Sequence, residues 1–264
     1  YQPALRPAVR QKGSLMTTDR ELAISVRNLG VSYWMKRGAL RHKRFWALED
    51  ISFDLYRGES LGVVGKNGAG KSTLLRVLAG VMNPDRGEIV NHGVSCSLLS
   101  LSLGFLPYLS GRENAILGGM FQGLTKEEVE AKMDDIVGFA ELGSFIDEPI
   151  SSYSSGMVAR LAFSLAFQVN ADVLLIDEVI AVGDQNFQEK SMEVMKERIR
   201  SDESTIVFVT HNGHLIKQLC ERTLWIEDHV VQLIDKTDYA LGVYGNFLET
   251  GEKYLDREKG RARP

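Results

Sequence analysis

The amino-acid sequence predicts an α/β fold in which a parallel sheet is joined to a largely helical region, and three observations support this class. The glycine-rich stretch GKNGAGKST at 65–73 lies between the strand-like run LGVV and the helix-like run LLRVLAG. Two apolar, β-branched runs, DVLLID at 172–177 and TIVFVT at 205–210, are typical of parallel strands covered on both faces. The segment from about 95 to 170 carries helix-start signals and is predicted to be largely helical.

The composition is that of a globular protein. Of 264 residues, 44% are hydrophobic and 25% are charged, which excludes disordered and fibrous classes. Lys and Arg number 31 against 35 Asp and Glu, so no global positive field favours nucleic acid as a partner. Cys96 and Cys220 fit no metal-ligand spacing and predict no disulfide framework. The apolar stretch at 94–109 is diluted by serines and interrupted by Gly104 and Pro107, and we predict no membrane span.

The N-terminal part of the chain is predicted to be strand-rich. Alternating residues at 22–29 and 48–55 indicate two half-buried strands. The basic segment between them, KRGALRHKR at 36–44, is expected to be an exposed loop. After the glycine-rich stretch, we expect a helix over 72–78, a turn at 83–88 and then a short strand.

Capping boxes mark two helix starts in the middle region. They are Ser110 with Glu113, and Thr125 with Glu128. Beyond the two apolar runs, helices are expected over 184–201 and 212–220.

The stretch from Gly65 to Ser72 fits the phosphate-binding pattern G-x-x-x-x-G-K-[ST]. Its glycines allow backbone N–H groups to wrap an anion, and the helix that follows points its positive end inward. Lys71 would then neutralise the β- and γ-phosphates and Ser72 would ligate Mg²⁺. The alternative is a glycine-rich turn with a lysine by chance; the flanking strand and helix favour phosphate binding. The predicted nucleotide-contacting residues are Gly65, Lys66, Asn67, Gly68, Ala69, Gly70, Lys71, Ser72 and Thr73.

The apolar run at 172–177 ends in two carboxylates. Asp177 is expected to hold Mg²⁺ through its water shell, and Glu178 to polarise the water that attacks the γ-phosphate. Taken alone, an Asp-Glu pair after a strand is usually a helix cap or part of a solvated loop. Its position after the glycine loop in chain order favours the catalytic interpretation, in which a γ-phosphate is hydrolysed with the help of Mg²⁺.

Two further motifs are candidates for phosphate contact. His211 directly follows an apolar strand, where open α/β sheets gather ligand-binding groups, and it is a candidate partner of the γ-phosphate. An ordinary surface histidine is the alternative, and a metal pair with His214 has no third ligand nearby in sequence. Ser154, Ser155 and Gly156 precede an apolar helix, where helix capping and phosphate contact explain them equally well.

These motifs, in this order, resemble the ATP-binding cassette subunits of transporters over about residues 22–235. The matching elements are the Walker A loop at 65–72, the signature YSSGM at 153–157, Walker B at 172–177 followed by Glu178, the AVGD loop at 181–184 and the switch His211. The implied fold is a P-loop NTPase core with a mixed sheet, an antiparallel β subdomain and a helical subdomain. The resemblance further implies that two copies sandwich ATP, with Ser154, Ser155 and Gly156 of one copy facing the glycine loop of the other.

The resemblance also implies two further nucleotide contacts and the domain limits. Asp184 would belong to the nucleotide site. Tyr33 would stack on adenine, with Trp34 as a substitute and a buried core aromatic as the competing explanation. We place an N-terminal extension at 1–20, with Met16 as a candidate natural start. The nucleotide-binding domain is expected over 21–235, and 236–264 is expected to be a short tail without a carbohydrate-binding domain.

Within that family, the sequence resembles the polysaccharide-export branch, which serves O-antigen, capsule and teichoic acid. The resemblance rests on YSSGM in place of LSGGQ, on PYLSGREN at 107–114, on IDEVIAVGDQNFQEKS at 176–191 and on the basic segment at 36–44. Two departures from the wider family stand out. Ser100 to Gly104 occupies the place of the Q-loop glutamine, which puts a direct metal contact from that loop in doubt, and Met157 replaces the signature glutamine.

The expected function is ATP hydrolysis that drives export of a lipid-linked cell-surface polysaccharide through separate membrane permease subunits, at the cytoplasmic face of the inner membrane. Exposed residues at 105–121 are the expected contact with the permease, and substrate choice is expected to lie in that partner. One alternative is a soluble cassette ATPase acting on ribosomes or DNA; those typically carry paired cassettes or long coiled-coil insertions, and this sequence shows one Walker A and neither insertion. The other is a transporter ATPase for a different substrate, which differs only in its partner.

Overall fold

A computed structural model of the chain describes residues 20–37, 41–99, 105–168, 171–177, 184–200 and 204–255. Within these ranges the chain forms a single mixed sheet with helices on both of its faces and an additional helical cluster. The predicted α/β class with an antiparallel β part and a helical part is confirmed.

An antiparallel ribbon forms one end of the sheet. β1 (Leu22–Arg37) pairs with β2 (Arg41–Tyr56), and β4 (Arg86–Asn91) pairs with the other edge of β1. Both predicted N-terminal strands are confirmed as parts of longer ones. Their alternating apolar side chains, including those of Val26 and Phe53, are buried against the core, which explains the period of two in the sequence.

The expected exposed loop at 36–44 is wrong for the described part of this segment. Lys36 is the strand partner of His42, and Arg37 is the partner of Arg41. Residues 38–40 lie outside the described residues. A run of cations indicates contact with water, and an antiparallel ribbon satisfies that requirement while its backbone stays hydrogen-bonded.

The remaining strands form the largely parallel part of the sheet. They are β3 (Ser60–Val64), β5 (Cys96–Leu99), β6 (Val173–Asp177), β7 (Thr205–Val209), β8 (Arg222–Glu227) and β9 (Val230–Lys236). The order across the sheet is β4-β1-β2-β9-β8-β3-β7-β6-β5 in the described residues. β3 runs parallel to both β7 and β8, and β6 runs parallel to β5 and β7. Every residue of β3 and β7 is buried, as their continuous apolar sequences predict.

The helices of the described residues are α1 (Lys71–Leu78), α2 (Gly111–Phe121), α3 (Lys126–Ala131), α4 (Met133–Ala140), α5 (Ser155–Phe167), α6 (Gln185–Arg200), α7 (Gly213–Leu219) and α8 (Thr237–Thr250). The helices whose starts were predicted begin close to those positions, and α4 and α8 are additional to them. Both predicted capping boxes are confirmed: Ser110 and Glu113 exchange hydrogen bonds at the start of α2, and Thr125 and Glu128 do so at the start of α3. In the ranges given above, no helix is both long enough and apolar enough to cross a membrane.

Helix α5 joins two hydrophobic cores. Leu161 and Leu165 face the core of the helical cluster, which also contains Val129 and Ile136. On the same helix, Phe163 packs into the core that covers one face of the sheet. A helix buried on nearly all sides must be apolar nearly all round, which is the pattern that its sequence shows.

The segment predicted to be a short tail contains a packed helix. Ala240 and Phe247 of α8 are buried, and the Phe247 ring lies 5.0 Å from the ring of Trp225 on β8. Gly242 and Gly245 lower the helix propensity of this stretch, which is why its helical character is weak in the sequence. Tertiary packing against the sheet supplies the missing stability.

A buried ion pair ties the start of β8 to the residue before β3. Arg222 Nη1 donates to Glu59 Oε1 over 2.8 Å, and Glu59 is 1% exposed. Burial raises the pKa of Glu59, and the charge of Arg222 opposes that rise.

We expect Arg222→Met to lower the free energy of unfolding at neutral pH by about 3–5 kcal/mol, because it leaves a buried carboxylate without its cation. The loss should shrink in mildly acidic buffer, because without the lowering effect of Arg222 the pKa of Glu59 rises further than in the unmodified chain, and the folded variant takes up a proton that removes the unpaired buried charge. Urea titrations at the two pH values measure both effects. Lys126→Met removes an exposed pair with Glu130 and should change stability by less than about 1 kcal/mol. An Arg222→Met variant with the same free energy of unfolding as the unmodified chain at neutral pH would contradict the expectation.

Candidate functional site

The glycine-rich stretch connects the buried end of β3 to the start of α1, as predicted. Gly70 is the N-cap of α1 with φ of 102°, and no side chain caps the helix there. The first N–H groups of a helix have no partners within it, so a bound anion can accept hydrogen bonds from them at the positive end of the helix dipole.

Two glycines of this loop approach neighbouring backbone so closely that no side chain fits. A Cβ atom on Gly65 would lie 2.1 Å from the carbonyl oxygen of Ile226 on β8. One on Gly70 would lie 2.3 Å from the carbonyl oxygen of Ala47 on β2. Both glycines also have positive φ angles, which L side chains rarely adopt. The loop is therefore held between two strands by direct backbone contact.

Lys71 lies within the loop that precedes it. Its side chain is buried, and Nζ donates to the carbonyl oxygens of Gly65 and Lys66 over 2.7 and 3.1 Å. The Ala69 N–H also donates to the Lys66 carbonyl oxygen, which closes the turn. The ammonium is thus already positioned inside the curve of the backbone, where the predicted phosphates would lie.

The exposure of the residues around Lys71 decreases from the tip of the loop to the first turn of α1. Asn67 and Gly68 are exposed at the outer side of the loop, whereas Ser72 is half-buried and Thr73 is buried on α1. The structure thus brings all of the predicted loop residues into one continuous strand-loop-helix unit.

Of the two candidate adenine-stacking aromatics, Tyr33 lies next to the loop. Its hydroxyl is 3.4 Å from Thr73 Oγ1 and 3.5 Å from Met82 Sδ. Trp34 is 70% exposed, and as the next residue on β1 it points to the opposite face of the ribbon. This placement favours Tyr33, and adenine stacking itself stays a prediction.

Asp177 ends β6 on the same edge of the sheet as the glycine loop. The register places Asp177 opposite Val209 on β7, and Val209 opposite Val63 on β3. Because neighbouring strands are about 4.8 Å apart, the Asp177 backbone lies about 10 Å from that of Val63. That spacing leaves room for a phosphate and a hydrated cation between the acid and the loop. Glu178 lies outside the described residues, and its role stays a prediction.

His211 follows β7 at this edge and is exposed. The neighbouring Asn212 accepts hydrogen bonds from the His214 and Leu215 N–H groups and so caps α7. The His214 ring nitrogen pairs with Gln218 at 2.8 Å. No group of three His, Cys, Asp or Glu side chains suited to a metal occurs in the part of the chain that the structure describes. The position of His211 at the same sheet edge as the glycine loop is compatible with contact to the γ-phosphate, which stays a prediction. The described residues offer no third ligand for a metal pair of His211 and His214.

The signature segment begins α5. Ser154 is the N-cap, and its Oγ accepts from the Met157 N–H over 3.2 Å. The capping explanation of this serine is therefore confirmed. Ser155 is exposed and Gly156 half-buried at the same helix end, which leaves that end accessible for the second predicted role.

Asp184 has a structural role that the sequence did not indicate. Its side chain accepts from the Phe187 N–H at the start of α6 over 3.0 Å, and Oδ2 lies 3.9 Å from Arg160 Nη1 on α5. These contacts join the signature helix to α6. Contact of Asp184 with nucleotide stays a prediction. Residues 178–183 lie outside the described residues, and so do 100–104, which occupy the place of the Q-loop glutamine.

Sequence reasoning missed two residues that contact the loop. Glu227 Oε2 accepts from the Lys66 N–H over 3.3 Å, and the Lys66 ammonium lies 4.4 Å from the ring centroid of Phe247. Both residues are far from the loop along the chain. The only signal for Phe247 is its spacing of seven from Ala240, a helical period that places both on one face.

The site joins a strand-loop-helix phosphate cradle to an acid two strands away, and the fold adds a helical subdomain. These features define a P-loop nucleotide-binding ATPase of the cassette type. The chain belongs to the ABC transporter family, whose family model matches residues 48–181. As a member of that family, it is an ATPase.

Relatives and solved structures agree with this assignment. The chain is 45% identical over 205 residues to the O-antigen export system ATP-binding protein RfbB of Klebsiella pneumoniae, covering 78% of this chain and 83% of RfbB. It is 41% identical over 217 residues to the teichoic acids export ATP-binding protein TagH of Lactococcus lactis, covering 82% of this chain and 46% of TagH. The fold is similar to that of a dimeric ATP-binding cassette in a post-hydrolysis state bound to ADP and Pi, with a TM-score of 0.69 and 23% identity over 81% of this chain and 98% of the other.

We expect Lys71→Ala to weaken ATP binding roughly 10- to 100-fold, because hydrogen bonds to a charged group contribute about 1.5–3 kcal/mol. Titration calorimetry with ATP measures the change. Arg76→Ala, an exposed substitution on the same helix, should leave the affinity near that of the unmodified chain. Equal affinities for the Lys71 and Arg76 variants would show that Lys71 does not contact the phosphates.

Proposed function

We propose that this chain hydrolyses ATP to drive export of a lipid-linked cell-surface polysaccharide through separate membrane subunits. The observation that carries the proposal is the 45% identity to an O-antigen export ATP-binding protein over 83% of that protein's length. The teichoic acids export ATP-binding protein TagH is similar over 82% of this chain as well. O-antigen and teichoic acid are both long cell-surface polymers, and this supports a cell-surface polysaccharide as the substrate class.

In this proposal the triphosphate of ATP lies on the loop at 65–73. Lys71 would contact the β- and γ-phosphates, and Ser72 and Asp177 would hold Mg²⁺, Asp177 through the water shell of the ion. His211 contacts the γ-phosphate, and Glu178 polarises the attacking water. The placement of Asp177 and His211 at the loop's edge of the sheet supports these roles.

A second copy of the chain completes each nucleotide site in the proposal. The exposed start of α5 at Ser154 and Ser155 would contact the γ-phosphate bound to the partner copy, as a helix N-terminus suits an anion. Solved cassettes of similar fold are described as dimeric, one of them with ADP and Pi bound.

Exposed apolar side chains flank α2 and form the proposed permease contact. Tyr108 lies just before this helix, and Met120 and Phe121 lie at its end, with Phe121 78% exposed. Contiguous exposed apolar groups mark protein interfaces, and these side chains at the two ends of α2 are the candidates for such a surface. The chain would bind there from the cytoplasmic face of the inner membrane.

We expect Glu178→Gln to keep ATP binding while lowering ATP hydrolysis roughly 10²–10⁴-fold, the usual effect of losing a general base. Steady-state phosphate release and ATP titration together separate the two effects. Glu189→Gln, an exposed change on α6, should alter neither quantity. Unchanged turnover in the Glu178 variant would remove Glu178 from the role of base.

We expect a photo-cross-linking residue at Tyr108 or Phe121 to capture an integral membrane protein in cells that produce the native complex, since these side chains are exposed on the proposed interface. Mass spectrometry identifies the captured protein. The same residue at Val90, exposed on β4, is the control and should give no such product. Capture of ribosomal proteins from Tyr108 and Phe121 would replace the proposal with a role at the ribosome.

A further inference from the structure

The second residue of the phosphate loop is attached to the C-terminal part of the fold at two points. The Lys66 N–H donates to Glu227 at the end of β8. The Lys66 ammonium lies over the ring of Phe247 on α8, 4.4 Å from its centroid. Lys66 is an exposed residue, and a lysine held at both its backbone and its side-chain end has lost freedom that exposed lysines normally keep.

Phe247 is a rigid partner for this lysine. It is 3% exposed and packs against Trp225 and Tyr244, with ring centroids 5.0 and 6.2 Å away. The start of α8 is fixed in turn by a pair of hydroxyls, Thr223 and Thr237, 2.9 Å apart. The ring therefore has a defined position before any nucleotide binds.

The contact extends to the ammonium that would meet the phosphates. The Lys66 carbonyl oxygen accepts a hydrogen bond from Lys71 Nζ over 3.1 Å, so the position of the Lys66 backbone helps to set that of Lys71. The attachment to Phe247 also directs the charge of Lys66 toward α8, which leaves the inside of the loop to Lys71.

We propose that Phe247 is a positioning residue for ATP, which acts through Lys66 to hold the phosphate loop in its nucleotide-accepting shape. The inference rests on the proposed function only in taking ATP as the ligand. A loop ordered in advance loses less conformational entropy on binding, and the affinity rises accordingly. Because the same loop shape serves bound ATP and the transition state, losing the contact raises KM and leaves kcat unchanged.

Three variants test the contact by steady-state ATP hydrolysis. Phe247→Leu keeps an apolar side chain without a π face, and Lys66→Met keeps the length of the side chain without its charge. Each is expected to raise KM for ATP about two- to fivefold, the range of an exposed cation–π contact. The double variant is expected to match the single variants, because both remove the same contact. Leu248→Ala, an exposed change next to Phe247 on α8, is the control and should keep the KM of the unmodified chain.

A fourth variant separates positioning from simple stability. Lys66→Arg keeps a cation for the ring and is expected to raise KM less than Lys66→Met does. Lys66→Met alters an exposed side chain, so its result holds even where Phe247→Leu folds poorly. Unchanged KM in Lys66→Met, additive effects in the double variant, or a fall in kcat at constant KM would each overturn the inference. Absence of ATP turnover in the unmodified chain would instead overturn the proposed function.

Discussion

Backbone-to-backbone contact at Gly65 and Gly70 is the constraint on which the rest of the site depends. The carbonyl oxygens of Ile226 and Ala47 lie where any side chain on these glycines would have to be. The loop therefore takes its overall course from close contact with β8 and β2. The direction of α1 and the buried position of Lys71 follow from that shape.

The sheet also sets the distance between the two halves of the site. The row Val63, Val209 and Asp177 crosses three neighbouring strands, so the acid and the loop are spaced by strand pairing alone. Helix α5 adds a second constraint, because it shares its buried faces between the sheet and the helical cluster. The signature segment at the start of α5 is therefore positioned by packing against both the sheet and the helical cluster.

The local features of this fold were predictable from the sequence. The strand-loop-helix context, both capping boxes and the buried parallel strands each depend on residues that are near one another in the chain. The expectations from sequence were wrong where tertiary packing determines the secondary structure. The cations at 36–44 suggested a loop, although strand pairing continues through Lys36 and Arg37. The glycines of α8 lowered its helix propensity, so the sequence did not predict this helix, which is held in place by the buried ring of Phe247. Contacts between Lys66 and Glu227 or Phe247 join distant segments, and no local pattern reveals them.

The position of β3 between β7 and β8 has a consequence for biosynthesis. The ribosome releases the β1–β2 ribbon and the glycine loop early, and the ribbon can pair at once because its strands are adjacent in sequence. The partners of β3 are among the last elements to be translated. A nascent chain that stops short of Ile226 carries the full Walker A sequence without the carbonyl that shapes it. ATP can thus stabilise this domain only after nearly all of it has left the ribosome.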